Sequence, residues 1–115
     1  MPLNYDNRKF RPVINSETGE VSGDTLFHYR HKGDIVTGEY SGGAITAGSL
    51  IAKVDEAGNL DMRYQHINAD GIIMTGKCSS RPEILGNGRI RLHEEWQWTS
   101  GDLSSGNSII EEVDS

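Results

Sequence analysis

Leu60-Asp61-Met62-Arg63-Tyr64-Gln65-His66 is the stretch whose reading decides the fold. Leu60, Met62, Tyr64 and His66 fall on one face of an extended chain, and Asp61, Arg63 and Gln65 fall on the other. Successive side chains of a strand point to opposite faces, so a period of two marks a strand with one face in a core and one in water. A helix would need apolar residues at i, i+3, i+4 and i+7. No eleven-residue window of this chain holds that pattern without a glycine inside it.

The same alternation extends outward in both directions. Ile90, Leu92, Glu94, Trp96 and Trp98 oppose Arg89, Arg91, His93, Glu95 and Gln97. Ile72, Met74, Gly76 and Cys78 oppose Thr75, Lys77 and Ser79, while Val36, Gly38 and Tyr40 form one face upstream, and Phe27 and Tyr29 are expected inward. Turn signals fall at Asn15–Glu20, Lys32-Gly33-Asp34, Ser41-Gly42-Gly43, Asp55–Asn59, Ala69-Asp70-Gly71, Gly86-Asn87-Gly88 and Ser100–Asn107. Glycine, Asn and Asp supply the backbone conformations that tight turns demand. Between the turns lie eight expected strands, near 8–14, 21–31, 34–41, 44–54, 59–68, 72–80, 89–99 and 107–113. One short helical turn is expected after Pro82, within residues 80–86. The fourth and eighth strands carry Ile or Leu on both faces. An outward stripe of Ile45, Ile51 and Ile109 is therefore a candidate homodimer contact.

Short connections between neighbours favour an up-and-down order, and closure removes edges that would recruit other chains. The expectation is an all-β fold: an antiparallel up-and-down β-barrel of about eight strands, one domain over residues 1–115. Whether residues 1–7 form a loose N-terminal arm or pack on the barrel is left open by the sequence. In such a meander the odd strands run in parallel, so their C-terminal halves gather at one end. Tyr40, Tyr64, His66, Glu94, Trp96 and Trp98 are expected there, with Val36, Leu60, Met62, Ile90 and Leu92 at the opposite, aliphatic end.

Trp and Tyr offer flat apolar faces with one polar handle each, so this aromatic end is the candidate ligand site. Glu94 sits between Leu92 and Trp96 on the inward face, where a carboxylate needs a partner or a raised pKa. His66 and the tyrosines are the expected partners. The four histidines show no metal-ligand spacing, so no metal site and no cofactor are assigned. Cys78, the only cysteine, excludes an internal disulfide and reads as a small buried hydrophobe. The glycine pairs open no helix and form no phosphate loop.

The net charge of −6 and the lack of a Lys/Arg cluster argue against nucleic acid as a partner. No apolar run is long enough for a membrane helix, and Met1–Asp6 lacks the pattern of a signal peptide. A membrane partner is not expected, and the cytoplasm is the expected location.

Several segments together carry a likeness: Asn4-Tyr5-Asp6, Phe27-His28-Tyr29, Tyr40-Ser41-Gly42-Gly43, Leu60–His66 and Glu95-Trp96-Gln97-Trp98-Thr99-Ser100-Gly101-Asp102. They resemble a family of small, mostly bacterial proteins often labelled N-acetylglutamate synthase, and the likeness covers nearly the whole chain. That label implies acetyl transfer to glutamate. Acetyltransferases of the common fold hold acetyl-CoA on a Gly-rich loop that opens a helix, and no such loop stands in this sequence. The chain also resembles avidin-type barrels, which are eight-stranded meanders of similar length, through Trp96 and Thr99-Ser100-Gly101. Lipocalins share the architecture, but their initial Gly-x-Trp is missing here.

Three functions follow. The first is a non-enzymatic barrel that binds a small molecule through Tyr40, Tyr64, His66, Glu94, Trp96 and Trp98. The second is a small enzyme using Glu94 and His66 as an acid–base pair. The third is a solid barrel that acts as an interaction subunit through its isoleucine stripe. A pocket above roughly 300 Å³ favours the first two, and a packed interior favours the third.

Overall fold

The computed structural model describes residues 3–15 and 20–113. These residues form eight strands: β1 (Arg8–Asn15), β2 (Leu26–Lys32), β3 (Ile35–Gly42), β4 (Ile45–Val54), β5 (Leu60–Asn68), β6 (Ile73–Ile84), β7 (Ile90–Trp98) and β8 (Ser105–Val113). Each strand pairs antiparallel with its sequence neighbour, and β1 pairs with β8 to close the barrel. Tight turns enforce this order. Gly33 takes a φ of 63° between β2 and β3. Between β4 and β5, Asp55 Oδ1 accepts the backbone N–H groups of Ala57 (3.0 Å) and Asn59 (2.9 Å).

The expected strands are all present, with altered bounds. Residues 21–25 are not part of β2, because Ser22–Thr25 form a turn (Thr25 N to Ser22 O, 2.9 Å), and buried Thr25 donates to Gly42 O. The helical turn expected after Pro82 is replaced by strand. β6 continues to Ile84, with Pro82 opposite Leu92. The pairing of β6 with β5 ends at Ser80, so Pro82 lies where one side of β6 has no strand to receive an N–H. Most of the expected Asn15–Glu20 turn lies outside the described residues.

The isoleucine stripe is not formed. Ile45 is buried, only Ile51 is well exposed, and Ile109 is half-buried. Ile72 is also exposed rather than inward, because β6 begins one residue after it.

Inward tyrosines lie beside glycines of the neighbouring strand. The register sets Tyr29 opposite Gly38, Tyr40 opposite Gly48 and Tyr64 opposite Gly76. A Cβ added at Gly48 would lie 2.5 Å from the Tyr40 ring and 2.9 Å from His66 Cβ, and one at Gly76 would overlap the Tyr64 ring. The glycines thus provide the volume that lets bulky rings lie flat inside a narrow barrel.

One end is shut by the N-terminal segment. Tyr5 is fully buried, donates its hydroxyl to Gly58 O and donates its backbone N–H to His31 Nδ1 (3.0 Å). Arg8 grips Glu112 through both carboxylate oxygens at 2.8 and 2.9 Å. At the other end β1 and β2 pair only over Arg8–Phe10 before diverging, and β1 shifts register at a bulge between Pro12 and Ile14.

Gly48→Ala is expected to destabilise the barrel by about 1–3 kcal/mol through overpacking. Gly86→Ala, where an added Cβ meets nothing within 4 Å, is expected to change stability by less than about 1 kcal/mol. Urea midpoints of the two variants make the comparison.

Candidate functional site

All six residues selected from the sequence line one cavity inside the barrel: Tyr40 from β3, Tyr64 and His66 from β5, and Glu94, Trp96 and Trp98 from β7. The geometry behind that selection holds, since alternation turns these side chains inward and parallel travel of the odd strands brings them to one end. Phe27, Leu50, Cys78 and Met62 complete the apolar wall, although Met62 was expected at the far end. That far end is less aliphatic than the odd strands alone suggest. Tyr5, Phe10 and Tyr29 are buried there beside Val36, Leu60, Ile90, Leu92 and Ile110.

The aromatic rings pack against one another at a range of angles. Phe27 stacks on Tyr40 at 4.8 Å between centroids, Trp96 lies tilted against Trp98 at 5.6 Å, and Trp98 meets Tyr64 edge-on at 5.9 Å. The cavity is partly open to solvent and measures about 50 Å³. This is several times the roughly 10–15 Å³ needed for one water, yet well short of the roughly 300 Å³ of a drug-sized pocket. The interior is neither solid nor roomy.

Two polar clusters sit on this wall. In the first, His66 Nε2 lies 2.7 Å from Glu20 Oε1, and its Nδ1 lies 3.0 Å from the Tyr40 hydroxyl. Asn68 Nδ2 donates to the other Glu20 oxygen at 3.1 Å. Glu20 was not foreseen, because it belongs to the β1–β2 connection and alternation carries no information about loops. Together with Val21 it brings that connection against the cavity.

In the second cluster, Glu94 accepts hydrogen bonds from Ser80 Oγ (2.9 Å, β6) and Ser108 Oγ (3.1 Å, β8). The expectation that His66 and the tyrosines partner Glu94 is therefore corrected. Both nitrogens of His66 and both oxygens of Glu94 are committed elsewhere, so the two do not form a hydrogen-bonded acid–base pair. The serines were legible in part, since Ser80 follows Cys78 in the same phase of β6.

Glu94 is half-buried because its carboxyl lines the cavity. Desolvation nevertheless raises its pKa above the ordinary 4.5, against the lowering effect of Ser80, Ser108 and Cys78. Burial also pushes the Cys78 thiol up, with Glu94 adding to the effect, so this cysteine is a poor nucleophile. Tyr40 and Tyr64 are held neutral in the same way, by burial first. At the mouth, the buried Oδ1 of Asn15 finds no hydrogen-bond partner among the described residues.

A carboxyl whose folded pKa is raised stabilises the fold fully below its unfolded pKa, and that stabilisation is lost as pH rises through the folded value. Glu94→Gln, which keeps an acceptor for one serine and offers its NH2 to the hydroxyl oxygen of the other, is therefore expected to raise the melting temperature at pH 7 by roughly 2–8 °C. At about pH 4, where Glu94 is already neutral, the gain should vanish. Thermal melts of both proteins across this range provide the check.

The model of one protein family, described as avidin-like protein, matches residues 3–113. No curated protein and no solved structure matches the chain. The closed eight-stranded antiparallel order agrees with this assignment, as does the likeness carried by Trp96 and Thr99-Ser100-Gly101. The chain belongs to the avidin-like protein family.

Proposed function

We propose that this barrel is a non-enzymatic binder of a small molecule, held in the cavity between Tyr40, Tyr64, Trp96 and Trp98. The observation that carries this reading is convergence. Aromatic and hydrogen-bonding side chains from three parallel-running strands meet around a space that the core leaves unfilled. Interiors normally close to crystal-like density, so a cavity beside a desolvated carboxyl is costly unless something occupies it. Membership of the avidin-like family supports the same reading. Glu94, Tyr64 and Trp98 then orient the ligand, His66 holds Tyr40 in place beside it, and the two indoles cover its apolar surface. A small cavity favours a compact ligand, or one whose compact end enters while the rest stays at the mouth.

Acid–base catalysis has less support, because Glu94 and His66 are hydrogen-bonded to separate partners rather than to each other. An interaction-subunit role through the isoleucine stripe has lost its surface with Ile45 buried.

Intrinsic tryptophan fluorescence in a metabolite screen is the direct test, with biotin, acetyl-CoA and glutamate among the compounds. A ligand of the cavity is expected to quench or shift the emission, and Trp96→Ala should weaken its binding by about tenfold or more. No acetyl transfer from acetyl-CoA to glutamate is expected. Glu94-dependent turnover of any compound would contradict a purely binding role.

A further inference from the structure

We infer that the cavity takes a compact organic cation, an alkylated ammonium group seated among the aromatic rings with the Glu94 carboxyl as its counter-charge. The inference rests on the binding function proposed above and specifies the sign of the ligand.

Charge is the first observation. Among the described residues lining the cavity there are two carboxyl side chains, Glu20 and Glu94, and neither Lys nor Arg. A carboxylate or phosphate ligand would be stripped of water with no fixed cation to meet it, at a prohibitive desolvation cost. His66 offers nothing to such an anion, because Glu20 and Tyr40 already occupy its ring nitrogens.

The walls are the second observation. Tyr40, Tyr64, Trp96 and Trp98 surround the space from three strands, with ring planes inclined to one another. The face of an aromatic ring carries partial negative charge, and several inclined rings together form a site for an ammonium group. The cavity of about 50 Å³ admits a compact group and excludes a bulky one.

The third observation is Glu94 itself. Ser80 and Ser108 would be satisfied equally by an amide at this position, so the fold does not require an acid there. The titratable neighbours facing it are Tyr29, Tyr40, Tyr64 and Cys78, and burial holds all four neutral. None of them compensates an ionised Glu94. A bound cation does, and the carboxyl that burdens the empty barrel then becomes a source of affinity and selectivity. The unpartnered Asn15 Oδ1 adds a further partial negative charge at the mouth.

Three probes of nearly equal shape provide the test: choline, the dimethylbutanol in which carbon replaces its nitrogen, and the corresponding dimethylbutanoate. Each is titrated into the full chain at neutral pH and followed by tryptophan fluorescence and calorimetry. Choline is expected to bind about tenfold more tightly than the alcohol, and the carboxylate most weakly. Glu94→Gln should reduce choline's advantage over the alcohol to the share that the rings supply. If the alcohol or the carboxylate matches or exceeds choline, the inference is overturned while the binding function stands. If choline's advantage is undiminished in Glu94→Gln, the counter-charge role is overturned. If none of the three binds at millimolar concentration, the cation inference is overturned, and the metabolite screen decides the binding function separately.

Discussion

Closure of the sheet is the constraint on which everything else in this molecule depends. Once β1 pairs with β8, every second residue of each strand is committed to an interior of fixed width. An eight-stranded barrel cannot hold a large ring from every strand at the same level. The chain resolves this by setting a glycine opposite each of three inward tyrosines. The rings lie down over the glycine backbone, and the space they release at the mouth becomes the cavity.

That arrangement decides the chemistry. Burial dominates each titratable group on the wall and pushes Tyr40, Tyr64, Cys78 and Glu94 toward their neutral forms. A site of this kind holds no ready thiolate or phenolate nucleophile, since burial keeps Cys78, Tyr40 and Tyr64 neutral. It suits recognition, in which fixed apolar faces and one latent charge discriminate between ligands. Glu20 and His66 belong to a separate network that joins the β1–β2 connection to β5 through a hydrogen bond, with the His66 side chain only 1% exposed. The polar mouth is thereby tied to the rigid barrel.

The fold was largely legible in the sequence, because alternation in a strand such as Leu60–His66 is a direct image of burial. The errors fell where that image fades. Ile45 sits in a strand with apolar residues on both faces, so the register shift between Ile45 and Ala47 could not be read from pattern. Pro82 looked like a helix start, because nothing local reveals that β5 has already ended beside it. The six-residue wall was legible for the same reason as the fold. Its hydrogen bonding was not, since Ser108 and Glu20 reach the site through strand order and loop path, which composition does not encode. The glycines told of turns in the sequence; in the structure Gly48 and Gly76 are instead the counterparts of Tyr40 and Tyr64.

The central claim is that Glu94 lies desolvated inside the barrel and shares an enclosed space with the aromatic wall. Carbon-13 NMR of the Glu94 side-chain carboxyl, followed through a pH titration of the native protein, tests it most directly. The account predicts a midpoint clearly above the ordinary value of 4.5. A midpoint at or below that value would show that desolvation does not dominate at this carboxyl, and the account of the site would be contradicted.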